Sequence, residues 1–292
     1  MTAAAAEKVP SAFQSVMFNA PGRPRPLARR LAIHNRVVGA VREFFADQLF
    51  HEVPVTAMAD HPARIQLQGM LQSGYKTVWC ESEIIPERGR REPRHLRGFK
   101  LIEAASRKVD LDGLTDLQED LLKFIARRMS ADILGGRDVT RLDAMLGVSH
   151  PRIRYRQALD ILAKRGWDLD FGAPLHAEAE ATLTRFCGGL PFMITHLPAS
   201  LGKPGAAADA RDAEVSESVE YVLPYAGITM EGIMTGADDR MAGFSMGLHR
   251  LLQYLMGLGS VLDTVIDPME RMTHLMKAPP PPEGGGTGPE VS

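Results

Sequence analysis

Two cysteines in 292 residues are too few for a disulfide framework and form no zinc spacing. Cys80 and Cys187 each lie in apolar surroundings, so they read as small buried thiols. Charge of one sign is also lacking. There are 34 Lys and Arg against 36 Asp and Glu, for a net charge of -2. No global basic field therefore draws the chain to nucleic acid. No apolar run approaches membrane-spanning length. The start, Met1 to Lys8, lacks the charged-then-apolar pattern of a signal peptide. What remains is the composition of a cytosolic globular protein, long enough to bury a large core as one or two domains.

Residues 1–27 carry several prolines and little periodicity, and read as a loosely attached arm. Residues 28–277 read as one core. Residues 278–292, which open on four prolines after Ala278, cannot pack and read as a disordered tail. Within the core, the spacing of Leu31, Val38, Val41, Phe44, Phe45 and Leu49 predicts a helix from Leu31 to Phe50. Val53 and Val55 begin an extended segment, and Pro62 to Ser73 looks helical. Strands are predicted at Lys76–Ile85 and Gly98–Ala105, joined by the charged loop Pro86–Pro93. Thr115 and Gln118 suggest a capping box for a helix that Gly135-Gly136 would end. Further helices are predicted at Tyr155–Gly166 and Ala177–Phe186, and strands at Leu190–Thr195 and Ser218–Leu223. Ser200–Asp212, rich in Gly, Ala and Asp, reads as a mobile loop.

The most informative stretch is Gly243-Phe244-Ser245-Met246-Gly247-Leu248-His249-Arg250, running into the apolar Leu251–Met256. A glycine-rich strand end opens a helix there, with an arginine in its first turn. Bare backbone lets a planar ligand approach, and an arginine fork suits a polyphosphate. Gly243, Gly247, Arg250 and Leu251 resemble the third motif of class II aminoacyl-tRNA synthetases of the aspartyl/asparaginyl branch. The second motif resembles Val78–Ile85 followed by Arg94-His95-Leu96-Arg97-Gly98-Phe99. The first resembles Val41–Phe45 through Phe50–Pro54. The ordered set, spread over residues 28–270, is far more specific than any one motif.

The resemblance implies an α+β fold: a mixed, mainly antiparallel sheet flanked by helices, built as a homodimer. It implies ATP bent over that sheet, with Phe99 stacking on adenine. Arg94 and His95 would touch the outer phosphates, and Arg250 would grip them beside Gly247. Catalytic weight falls on Arg250, His95 and Arg88. In the family an arginine contacts the α-phosphate, and gap-free counting puts Pro86 there. Proline offers neither charge nor amide donor, which leaves Arg88, Arg90 or Arg91 as the stand-in if the loop is repacked. Of the family's magnesium carboxylates, one falls on Ile228 and the other on Glu220, with Glu231 three residues past Ile228. The amino-acid pocket would involve Arg64, Gln68, His196 and Thr235. Arg64 replaces the glutamine that binds the amino group, Leu67 the lysine that reads aspartate, and Thr235 the side-chain arginine. Aspartate is therefore not expected to bind in the usual way.

In synthetases of this branch an anticodon-reading barrel of about a hundred residues precedes the core, whereas only about 30 residues precede the first motif here. The layout resembles that of freestanding archaeal asparagine synthetase. Three outcomes stay open. The first is an ATP- and magnesium-using, tRNA-independent ligase that activates a small carboxylate and forms an amide. The others are a repurposed dimeric binding protein and a core doing ATP-independent chemistry. No tRNA complex and no membrane partner are expected.

Overall fold

The computed structural model describes residues 26–55, 64–84, 96, 98–129, 133–134, 136–201, 205–236 and 240–266, without the side chains of 26, 64, 65, 136 and 137. The predicted arm up to Arg25, the loop from 85 to 95 and the tail lie outside the described residues.

The chain opens with helix α1 (Pro26–Asp47). Ile33, Val37, Ala40, Val41, Phe44 and Phe45 form its buried stripe, the spacing of one helical face. The helix starts five residues before its predicted start, Leu31, and stops three before Phe50. Leu49 instead adopts a left-handed turn with φ 58 and is 73% exposed. Strand β1 (His51–Glu52) follows, then helix α2 (Arg64–Gln72) and the hairpin β2 (Thr77–Ile84) and β3 (Phe99–Ser106). Helix α3 (Leu111–Arg127) is capped by Asp110, whose Oδ1 accepts from the Gly113 amide at 2.9 Å. The predicted capping box is therefore misplaced. Thr115 and Gln118 sit buried inside the helix, and the Thr115 hydroxyl donates to the Asp112 carbonyl. The helix ends well before Gly135-Gly136, and Gly136 begins a helix the sequence did not announce, α4 (Gly136–Leu146). Strand β4 (Arg152–Arg154), helices α5 (Tyr155–Ala163) and α6 (Ala177–Phe186), and strands β5 (Phe192–Thr195), β6 (Ser218–Leu223), β7 (Gly227–Thr235) and β8 (Met241–Gly247) follow, closed by helix α7 (Leu248–Met256).

The eight strands form one sheet in the order β1-β2-β3-β8-β7-β6-β5-β4. The outermost pairs, β1 with β2 and β4 with β5, are parallel, and all others are antiparallel. The last strand thus lies between β3 and β7, near the middle. Arg30 of α1 donates to the carbonyls of Asp263 and Val265, 233 and 235 residues away, so the first helix and the last described turn are joined. The predicted loop of 200–212 is pinned where it is described: Ala206 bridges Thr235, and Ala208 bridges Ser216. Arg156 also pairs with Asp212.

Under the sheet, β4 and α3 enclose a polar cluster. His150 is 2% exposed. Its ring contacts the Tyr221 hydroxyl and the Met145 carbonyl, and its amide donates to Glu119 Oε1 at 3.1 Å. Lys123 reaches the same carboxylate at 2.7 Å, and Arg152 the other oxygen at 3.3 Å. Burial pushes the His150 ring below its usual value of 6.5. Burial pushes the Glu119 carboxyl up, but hydrogen bonds from Lys123 and the His150 amide reverse this and leave it lowered. Both groups bind protons less readily folded than unfolded, so acid disfavours the fold. The histidine's contribution is complete above its ordinary 6.5 and declines as pH falls below it. Melting temperature is therefore expected to fall between pH 7.5 and pH 5.5, roughly the window of a histidine titration. His150→Asn should flatten that slope, and a wild-type melting temperature constant across the window would contradict it.

Candidate active site

Side chains alternate across a strand, and this sheet uses its two faces differently. One face is apolar through its centre. Trp79, Ile102, Ala104, Phe244, Met246, Met230 and Tyr221 pack there against α1, α3, α4 and α7. The other face is apolar only at its flanks. Leu67 and Leu71 of α2 cover Val78, Cys80 and Ala105 at one side. Helices α5 and α6 cover Ile153, Ile194, Phe192 and Val222 at the other. Between the flanks runs a polar row of successive cross-strand partners, Glu103, Ser245, Glu231 and Glu220. At a strand spacing of about 4.8 Å it extends about 15 Å.

Glu103 anchors the row. It is 1% exposed and accepts from Ser82 Oγ at 2.6 Å and Ser245 Oγ at 3.1 Å. Burial, with Glu103 next in effect, pushes the neighbouring Cys80 thiol up to about 12. Burial likewise pushes Cys187 up to about 11. Neither thiol is poised as a nucleophile. The sequence reading missed Glu103. Its signal was a carboxylate at an inward position of a strand, on the same face as Leu101 and Ala105 and alternating with Ile102 and Ala104. Glu220 and Glu231, predicted as metal carboxylates, stand side by side in this row. Glu220 is half-buried and Glu231 exposed. Ile228 packs into the apolar flank of α5 and α6.

To one side of the row, at the end of β8 and the start of β7, lie the predicted phosphate groups. Gly247 caps α7 in extended backbone, with φ -71 and ψ 107, which places Arg250 in the helix's first turn. Arg250 Nη1 donates to the Ile228 carbonyl at 2.9 Å and reaches the Ala226 carbonyl at 3.5 Å. Between these residues, Gly227 has φ +76. A Cβ there would lie 3.2 Å from Glu180 Oε2 and 3.3 Å from Arg250 Nη1. A cleft of about 1060 Å³ opens here, lined by Arg250, Glu180, Arg185, Tyr225, Gly188 and Ser260 among others. Tyr225, 86% exposed at φ 68, is the tip of the β6–β7 turn. Phe99 stands at the same end of β3, half-buried against the cluster of Leu96, Val261 and Val265. Arg88, Arg94 and His95 lie outside the described residues.

The predicted amino-acid groups are dispersed at the other end. Thr235 closes β7, 7% exposed, with its hydroxyl donating to the Met241 carbonyl at 3.4 Å. His196 follows β5 with φ 55. Its Nδ1 meets Thr195 Oγ1 at 3.0 Å, and its Nε2 meets Asp209 Oδ2 at 3.5 Å. Both ring nitrogens are thus engaged within the protein, and burial, aided by Arg154, lowers the affinity of the ring for a proton. A general base needs a free ring nitrogen facing substrate, so this geometry fits a structural His–Asp pair. Gln68 is half-buried on α2. The Arg64 side chain lies outside the described residues.

No protein-family model matches the chain. Among curated proteins, an asparagine–tRNA ligase of Buchnera aphidicola is 26% identical over 214 residues, which are 59% of this chain and 46% of the relative. The chain thus spans about half the length of that relative. Among solved structures, an asparaginyl-tRNA synthetase from Pyrococcus horikoshii complexed with asparaginyl-adenylate superposes with a TM-score of 0.71 at 18% identity, covering 82% of this chain and 68% of that one. An aspartyl-tRNA synthetase from Entamoeba histolytica gives 0.74 at 15% identity, covering 91% and 63%. The fold is that of the class II synthetase catalytic core of the aspartyl/asparaginyl branch, with the mixed, helix-flanked sheet that the motifs implied.

Gly227 tests the geometry of the phosphate end. A β-carbon there meets two charged side chains and a backbone φ that costs a non-glycine residue about 1–2 kcal/mol. Gly227→Ala is therefore expected to lower unfolding free energy by at least that amount in urea titration. A neutral effect would contradict the turn geometry.

Proposed function

We propose that this chain is a synthetase-like ligase that spends ATP to activate a small carboxylate as an adenylate and transfers the acyl group to ammonia or an amine, without tRNA. The observation that carries this is the position of Arg250. It stands at a glycine-capped helix start and lines a cleft that runs along the α6 flank of the sheet, between that helix and the β6–β7 turn. In the reaction, a substrate carboxylate oxygen attacks the α-phosphorus and the bond to pyrophosphate breaks. The amine then attacks the acyl carbon, AMP departs, and the amine loses a proton. What the chain must supply is placement and charge. Arg250 would hold the outer phosphates and Phe99 would stack on the base. A Cβ on Gly247 would touch nothing closer than 3.7 Å, so the protein's own packing does not demand that glycine, whereas a flat ligand would.

Glu103 deepens the proposal. A buried carboxylate steadied by two serines is a prepared acceptor for an ammonium group. The positions of two family cations are, in contrast, Leu67, sunk in the α2 flank, and Thr235, bonded within its own hairpin. We assign to the substrate an amino group near Glu103 and no second carboxylate paired in the manner of aspartate.

Magnesium prefers oxygen ligands, and one or two carboxylates completed by phosphate suffice. Glu220 and Glu231, adjacent in register, fit that requirement. No group of three metal-binding side chains occurs among the described residues. Once bound, the ion would offset phosphate charge.

A second reading, a repurposed scaffold without ATP chemistry, is favoured by Ile228 at the family's carboxylate position and by the ties of Arg250 to two carbonyls. Calorimetry separates the two. Magnesium-ATP is expected to bind the wild type, and Arg250→Ala to weaken binding about 10–100-fold, the loss of one charge-assisted phosphate contact. No heat at millimolar nucleotide would leave the scaffold reading standing.

We also propose a homodimer through the α1–β1 end. Phe44 and Phe45 do not support it, because the protomer's own core buries them to 3% and 0%. The support is the exposed Leu49 beside the two-residue edge strand β1, which leaves backbone pairing groups at the end of the sheet. Sedimentation at micromolar concentration is expected to give a dimer. A monomer there would reject this interface.

A further inference from the structure

Gly227 is the meeting point of two opposite charges. Glu180 Oε2 and Arg250 Nη1 both lie within 3.3 Å of the place its Cβ would occupy. The two side chains come from unrelated parts of the fold. Arg250 belongs to the first turn of α7. Glu180 belongs to the first turn of α6, which packs as a flank and lies beyond the polar row. Both line the same cleft. The Arg250 fork is fixed from behind by the Ile228 and Ala226 carbonyls.

A polyphosphate arriving at Arg250 meets the Glu180 carboxylate at close range. Like charges in a partly buried space repel strongly, because water screens them poorly there. We propose that Glu180 is a specificity-determining residue that makes this site select metal-chelated over metal-free polyphosphate. A divalent cation on the phosphates offsets part of their charge and so weakens the repulsion. Metal-free nucleotide has no such relief. The inference rests on the assignment of Arg250 to the phosphates.

Titration calorimetry of the full chain with ATP and with inorganic tripolyphosphate, each with magnesium and with EDTA, tests it. Glu180→Gln keeps the size and hydrogen-bonding reach of the side chain and removes its charge. This variant is expected to bind metal-free ATP and tripolyphosphate about tenfold tighter than wild type, the order expected for one nearby like charge. Binding of the magnesium complexes should shift far less. Equal or weaker metal-free binding by Glu180→Gln, with a melting temperature like that of wild type, overturns the proposal. Glu180→Ala is the second variant. If Gln unfolds the chain, the same tightening is required of Ala, and its absence is equally decisive. Arg250→Gln separates the two levels. If it leaves magnesium-ATP binding intact, the phosphate assignment itself fails. If it abolishes binding while Glu180→Gln changes nothing, only the role of Glu180 fails. Metal-free nucleotide binding by Glu180→Gln with none by wild type, while both bind the magnesium complex, supports the proposal in its strongest form.

Discussion

The structure depends on an interruption in apolar burial. A sheet with two fully apolar faces would be sealed into a core, and one with a single apolar face would present an undifferentiated wet surface. Here the second face is apolar at both flanks and polar between them. Helices α2 and α5–α6 can therefore dock firmly without meeting over the middle. The trough they leave is a product of where leucine, isoleucine and glutamate alternate along β3, β6, β7 and β8. No separate element is needed to build it.

In the trough and in the cleft beside α6, charge is held ready before any ligand arrives. Glu103 is steadied by hydroxyls from two neighbouring strands, and Arg250 by two carbonyls of one hairpin. Fixed dipoles around fixed charges are what transition-state stabilisation asks of a site, since nothing must reorganise during the reaction. The same arrangement has a cost. Opposite charges are packed closely enough that a side chain at the Gly227 turn would crowd both.

Much of this was legible beforehand. The stripe from Val41 to Phe45, the two strands of the β2–β3 hairpin and the glycine-to-arginine turn before α7 each carry a local signal, and each formed as read. The errors fall where local signals compete. Thr115 and Gln118 have the spacing of a cap, but Asp110 lies five residues earlier and does that work. Gly135-Gly136 looked like a stop, yet Gly136 begins α4, whose burial against the core outweighs a poor propensity. Gly, Ala and Asp made 200–212 look loose, whereas backbone bridges to Thr235 and Ser216 hold its described part. Such pairings join residues far apart in sequence. For the same reason neither Glu103 nor Glu180 stood out: their meaning comes from Ser245, Gly227 and Arg250, which lie opposite them and far along the chain.

The central position of β8 bears on how such a chain is made. As it leaves a ribosome, β1 to β3 appear first and β4 to β7 later, as two part-sheets that share no hydrogen-bonded edge. Each exposes an unpaired strand, β3 on one and β7 on the other, until residues 241–247 emerge and are inserted between them. The tie from Arg30 to Val265 closes later still. Synthesis of this fold is thus a matter of waiting with two sticky edges for one late strand, and a nascent chain stalled before β8 would carry both edges into contact with whatever lies nearby.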